Sequence, residues 1–161
     1  MKKITQITLS LVLLISLNSC VGYKPIFSSS NLKFEISNYS LKGDKKIGQK
    51  IYYKLFKSSS NDKNSKNIYI SINSSKSKTA SVKNSKGKII EYKIDLVVNI
   101  LVKDFYDDIV IFNQNFASSS TYKVQDQYSE TINLENKTLK DLINKIFQDI
   151  LIKMSENILV E

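Results

Sequence analysis

The sequence predicts an α+β domain: a four-stranded, mainly antiparallel sheet with two helices packed on one face, in the order β-α-β-β-β-α. Three observations carry this. Ile90, Tyr92, Ile94, Leu96, Val98, Ile100 and Val102 alternate with mostly polar residues without a break, the period of a strand with one buried face. Two separate stretches repeat apolar residues at helical spacing. Each of these elements has one apolar side only, and a sheet covered by both helices uses all of them.

The first 32 residues read as address rather than fold. Lys2 and Lys3 are followed by an apolar run from Ile4 to Leu17, broken by Thr5, Gln6, Thr8, Ser10 and Ser16. That is the layout of a secretory signal peptide, and the run is shorter and more polar than the roughly 20 residues a spanning helix needs. Leu17, Asn18, Ser19 and Cys20 then form a bacterial lipobox. Leu stands at −3, a small residue at −1 lets the peptidase approach, and the thiol at +1 accepts the lipid. Asn18 at −2 is less usual. Cys20, the one cysteine of the chain, is thereby expected to carry a diacylglyceryl thioether and an N-acyl chain. Residues 1–19 are the signal peptide, 20–32 a lipid-anchored tether, and 33–161 a single domain. Two or three acyl chains anchor stably where one is marginal. Val21, a non-Asp residue at +2, points by enterobacterial sorting rules to the periplasmic face of the outer membrane.

Within the domain, Phe34 and Ile36 alternate with polar neighbours and predict a strand over 33–39. Ile47, Ile51, Tyr52, Leu55 and Phe56 share one helical face, and Asp44 suits the N-cap of that helix, which ends near Lys57. A polar loop covers 58–67. Ile68, Ile70 and Ile72 open a second strand, which turns polar through Lys88, with Gly87 marking a turn. The long strand over 90–102 follows. Asp107 and Asp108 make the next turn, and Val110, Phe112 and Phe116 mark the last strand. Residues 68–125 thus read as three successive antiparallel strands. Leu139, Leu142, Ile143, Ile146, Phe147, Ile150, Met154 and Ile158 line one side of a helix over 134–159. Its polar side carries both signs of charge, which favours packing on the sheet over lying on a membrane.

Composition argues against catalysis. The 161-residue chain has no histidine, which removes the commonest general base and metal ligand. No glycine-rich phosphate loop appears among its four glycines, and Asp62 and Asp126 lack metal-ligand spacing. A non-enzyme with no metal and no cofactor beyond the Cys20 lipid is expected. The formal charge of +9 falls to +7 once Lys2 and Lys3 leave with the signal peptide. An AT-rich coding bias explains such a lysine excess as well as an anionic partner does, so clustering is the informative feature. Lys76, Lys78, Lys83, Lys86 and Lys88 stand with no acidic residue among them across one predicted hairpin. Either this is a solvated tip, or it is an anion-binding loop for the phosphates and acidic sugars of an envelope glycolipid, lysine being a flexible point-charge donor. Nucleic acid is not expected for an exported chain.

Taken together, these features resemble the LPS-assembly lipoprotein family, LptE. The residues that carry the resemblance begin after the lipobox cysteine with Gly22, Tyr23, Lys24, Pro25, Ile26 and Phe27. Gly48, Gln49 and Leu55 follow in the first helix, then Ala117, Ser118, Ser119, Ser120 and Tyr122 near the last strand, and Tyr128 before the last helix. Val21 is an insertion relative to the usual pattern. The resemblance covers nearly the whole mature chain. It implies a non-enzymatic protein that sits in the periplasmic end of an LptD-like outer-membrane β-barrel, assists its assembly and contacts lipopolysaccharide. It also implies that the Lys76–Lys88 region is the part that meets lipid A phosphates. A free-standing envelope lipoprotein that binds a lipid or small ligand, or one with a purely structural role, is the alternative.

Overall fold

A computed structural model describes residues 33–59 and 65–158; Cys20, the signal peptide and the tether lie outside the described residues. The order is β1 (Phe34–Gly43), α1 (Lys45–Ser58), β2 (Lys66–Lys83), β3 (Ile89–Asp104), β4 (Val110–Lys123) and α2 (Tyr128–Ile158). One sheet runs β1-β2-β3-β4. The β2–β3 and β3–β4 pairs are antiparallel and the β1–β2 pair is parallel. A parallel neighbour needs a crossover, and α1 supplies it. This is the α+β fold expected from the sequence.

The core lies between one sheet face and the two helices. Phe34, Ile68, Ile70, Ile72, Ile94, Leu96, Val98, Ile100 and Val102 from the sheet are fully buried, together with Ile51 and Leu55 of α1 and Ile146, Ile150 and Met154 of α2. The opposite face is a lattice of hydroxyls and amides. Tyr69 Oη donates to Ser40 Oγ (2.8 Å), Ser40 Oγ donates to Ser71 Oγ (2.9 Å), and Asn99 Nδ2 donates to Asn113 Oδ1 and Asn115 Oδ1 (both 2.9 Å).

β1 continues to Gly43, beyond the predicted end at residue 39. Its pairing with β2 shifts register between Ile36 and Asn38. The extra residue, Ser37, moves Tyr39 and Leu41 onto the helical side opposite Ile70 and Ile72, and breaks the alternation that marks a strand in sequence. Gly43 then turns the chain at φ +69°. Asp44 caps α1 as expected: its Oδ1 accepts from Lys46 N (3.1 Å) and Ile47 N (3.2 Å). Its backbone N–H donates to Ser74 O (2.7 Å) and its carbonyl accepts from Ser74 Oγ (2.8 Å), so the cap is riveted to β2.

The buried stripe of α1 is narrower than predicted: Ile47, Gly48, Ile51 and Leu55 are inside, whereas Phe56 is half exposed. Tyr52 and Phe56 flank the stripe above the edge strand, beside Tyr39. Tyr39 stacks on Tyr52 with centroids 4.0 Å apart, and Phe56 lies 5.9 Å from Tyr52.

β2 and α2 are both longer than their apolar patterns. β2 runs ten residues past Asn73 to Lys83 because β3 pairs with it throughout, from Asp104 opposite Ile68 to Ile89 opposite Lys83. From Ser75 onward both faces are exposed, so burial imposes no alternation. α2 begins at Tyr128 with turns that carry no apolar stripe. Thr131 is buried there, and its Oγ1 accepts from Gln125 N (2.9 Å).

Candidate functional site

The β2–β3 hairpin ends in an exposed tip, and the basic segment lies along it. The tip is built locally by Asn84: its Oδ1 accepts from Lys86 N (3.0 Å) and Lys88 N (2.9 Å), and its carbonyl accepts from Gly87 N (2.9 Å), with Gly87 at φ +79°. That left-handed position suits glycine.

The five lysines predicted as one site divide into two groups. Lys83, Lys86 and Lys88 gather at the tip, and no ion pair among the described residues involves them. Val82 and Ile90, both about two-fifths exposed, stand among them, and Lys123 joins them across the sheet opposite Glu91. Lysine stems beside exposed aliphatics make a surface suited to an amphiphilic anion.

Lys76 and Lys78 lie further down β2, below the tip. Lys78 is occupied. Its Nζ meets Glu135 Oε2 of α2 at 2.6 Å, the same oxygen accepts from Tyr122 Oη at 2.8 Å, and the Tyr92 ring lies 4.4 Å from the ammonium. Burial opposes charge on Lys78, but its hydrogen bonds to Glu135 and Tyr122 outweigh that and raise its pKa. The hydrogen bond from Lys78, helped by that from Tyr122, holds Glu135 below its ordinary range despite burial. Burial pushes Tyr122 up.

This network pins the start of α2 to the sheet, so Lys78 is a structural cation more than a free ligand donor. Because the folded Glu135 carboxyl has the lower pKa, its contribution is present above the unfolded carboxylate pKa of about 4.3 and is lost as pH falls through the folded value. The Lys78 contribution is present below the unfolded lysine pKa and is lost only in strong alkali. Glu135→Gln is expected to cost no more than about 1 kcal/mol at pH 7, since the group is partly solvated. The cost should shrink as pH falls below the unfolded carboxylate value of about 4.3 and vanish only below the lower folded one. Urea midpoints of both proteins across pH 3–8 check this; a cost that persists unchanged at pH 3 would contradict it.

A second basic cluster appears only partly in sequence. α1 carries Lys45, Lys46, Lys50, Lys54 and Lys57 with no acidic residue from 45 to 57, a density as high as that of the hairpin and the signal that could have found it. The fold adds Lys140 of α2. Lys50, Lys54 and Lys140 line an interhelical groove of about 500 Å³ with Tyr53, Ile143, Asn136 and Asn144. Lys54 also lies 5.3 Å from the Phe147 ring centre. Among the described residues no group of three histidine, cysteine, aspartate or glutamate side chains is placed to hold a metal. No described helix is long and apolar enough to cross a membrane.

No protein-family model and no curated protein sequence matches this chain. Solved structures do. Rare lipoprotein B from Shewanella oneidensis is 12% identical, with a TM-score of 0.51 over 74% of this chain and 97% of that one. The uncharacterized lipoprotein B from Nitrosomonas europaea is 19% identical, with a TM-score of 0.57 over 81% and 88%. A Caulobacter crescentus chain, provisionally assigned as a lipoprotein, is 12% identical with a TM-score of 0.53 over 80% and 92%. At such identities the likeness is one of fold, and the fold of this chain is one that bacterial lipoproteins use.

Proposed function

We propose that the chain is a non-enzymatic outer-membrane lipoprotein of the LptE type. On this reading it is anchored through Cys20 at the periplasmic face, plugs and assists an LptD-like β-barrel, and contacts lipopolysaccharide there. The observation that carries the reading is the joint occurrence of a lipobox with a fold used by bacterial lipoproteins, rare lipoprotein B among them. The open sheet face, with its Ser, Asn and Tyr side chains, offers hydrogen bonds to the polar interior of such a barrel. The basic tip offers point charges to lipid phosphates.

Affinity purification of the tagged mature chain from detergent-solubilised outer membranes tests the partner. A large β-barrel protein should co-purify in near-stoichiometric amount, and recovery of the chain alone counts against the reading. The tip is tested separately. Replacing Lys83, Lys86 and Lys88 together with Gln should weaken lipopolysaccharide binding about tenfold or more at low salt. The difference should shrink by 0.5 M salt, where exposed charges are screened. Unchanged low-salt binding would remove the tip from the contact.

The interhelical groove favours a second reading, a free-standing carrier of a lipid or small ligand. A chain that folds alone, purifies without a barrel and retains a bound amphiphile sensitive to Lys50→Gln and Lys54→Gln would establish that reading instead.

A further inference from the structure

At the end of the sheet opposite the basic tip, the β3–β4 turn shows solvent an apolar surface that no described residue covers. Phe105, Tyr106, Ile109 and Val110 are 43, 76, 63 and 52% exposed. Four large apolar residues on one short turn form a patch of the kind that marks an interaction site.

The turn is held in shape. Asp104 Oδ1 accepts from Tyr106 N (2.9 Å) and Asp107 N (3.3 Å), and Asp104 N donates to Ile109 O (2.8 Å). Phe105 N donates to Asn67 O (3.0 Å), Asn67 Nδ2 donates to Tyr106 Oη (3.1 Å), and the two aromatic rings meet edge to face at 5.5 Å. The rings are therefore presented to solvent on a rigid support.

Position selects the partner. Lys66 N donates to Lys33 O (3.0 Å), one residue from the Asn67 that carries the turn. Lys33 is where residues 20–32 join the domain, and that segment reaches at most about 45 Å from Cys20 when extended. β2, by contrast, carries the basic tip about 55 Å away at 3.3 Å per residue. The apolar turn thus lies at the end that a lipid on Cys20 brings nearest to a bilayer.

We propose that the Phe105–Val110 turn is a membrane-contact element: Phe105, Tyr106 and Ile109 seat in the headgroup region of the phospholipid bilayer that holds the Cys20 lipid. Aromatic rings with a polar end suit that layer. Asp108 is paired with Lys103 at 2.9 Å, and Asp107 meets the ammonium groups of zwitterionic headgroups. The contact fixes which end of the domain meets the anchoring surface. The proposal rests on the Cys20 anchor but not on a barrel partner.

The absence of tryptophan from the chain makes the test direct. Tyr106→Trp, at an exposed position, gives a single reporter. The mature chain is coupled through the Cys20 thiol to maleimide-bearing lipid in phosphatidylcholine vesicles, which makes the result independent of natural acylation. Emission of the introduced indole should shift to the blue, and brominated phosphatidylcholine should quench it at least twofold. Tyr53→Trp on α1, in the same vesicles, should show neither effect. Adding Phe105→Ser and Ile109→Ser to the Tyr106→Trp chain should return its emission to the unquenched level. Solvent-like, unquenched emission from the tethered Tyr106→Trp chain overturns the proposal. So does a blue shift without bromine quenching, which would mean that protein, a second copy or another chain, covers the turn.

Discussion

Gly43→Ala is expected to destabilise the domain by about 4 kcal/mol or more, a large part of the 5–15 kcal/mol that holds a typical domain together. Two costs combine. The backbone at φ +69° is strained for any residue with a Cβ, at about 1–2 kcal/mol. The Cβ would also fall 2.1 Å from the Ser74 carbonyl oxygen, which already accepts the Asp44 N–H. Relief of that overlap must part β1 from β2 or pull the α1 cap off the sheet. Gly87→Ala is the matched control: φ is +79°, and no atom lies within 4 Å of the new Cβ, so only the conformational cost of about 1–2 kcal/mol applies. Urea midpoints of the two variants isolate the contact at Gly43. Equal losses would mean that the close approach to Ser74 has no energetic weight.

Phe34→Ala should cost about 3–5 kcal/mol, the range for emptying a buried aromatic site. Phe34 is fully buried although it opens an edge strand, and its neighbour Lys33 is the first described residue. Loss of the ring leaves a void at the end of the core where the chain enters the fold, so β1 should fray before the rest of the sheet melts. Amide exchange should show it: protection over 34–41 falls first, while β2–β4 amides keep near-native protection under conditions below the midpoint. Ile100→Val, one methylene removed at the sheet centre, should cost only about 1 kcal/mol without selective fraying. A uniform loss of protection in the Phe34 variant would show that β1 is inseparable from the cooperative unit.

The fold was legible where burial disciplines the side chains. The alternation from Ile90 to Val102 reports a single buried face from Ile94 onward, the stripe from Leu139 to Ile158 reports another, and both elements stand where their periods place them. Legibility failed where burial stops. The second half of β2 is exposed on both faces, so pairing with β3, and not side-chain pattern, makes it a strand. Ser37 shifts the register of β1, and beyond it the alternation restarts on the opposite phase. The first turns of α2 are held largely by Thr131 and by the Glu135–Lys78–Tyr122 hydrogen bonds, contacts that leave no apolar period in the sequence.

For the candidate site the division is similar. The lipobox pattern, the lysine density of 76–88 and the lysine density of α1 are properties of consecutive residues, and sequence alone contains them. Tertiary structure decided which of those charges are available. It spent Lys78 on Glu135, brought Lys123 to the tip beside Lys83, Lys86 and Lys88, and joined Lys140 to Lys50 and Lys54 across the helices. It also decided that the Phe105–Val110 turn lies beside Lys33. Local composition sets how much charge and apolar surface a segment carries. Only the pairing of segments far apart in the chain sets which of it meets a partner and at which end of the molecule.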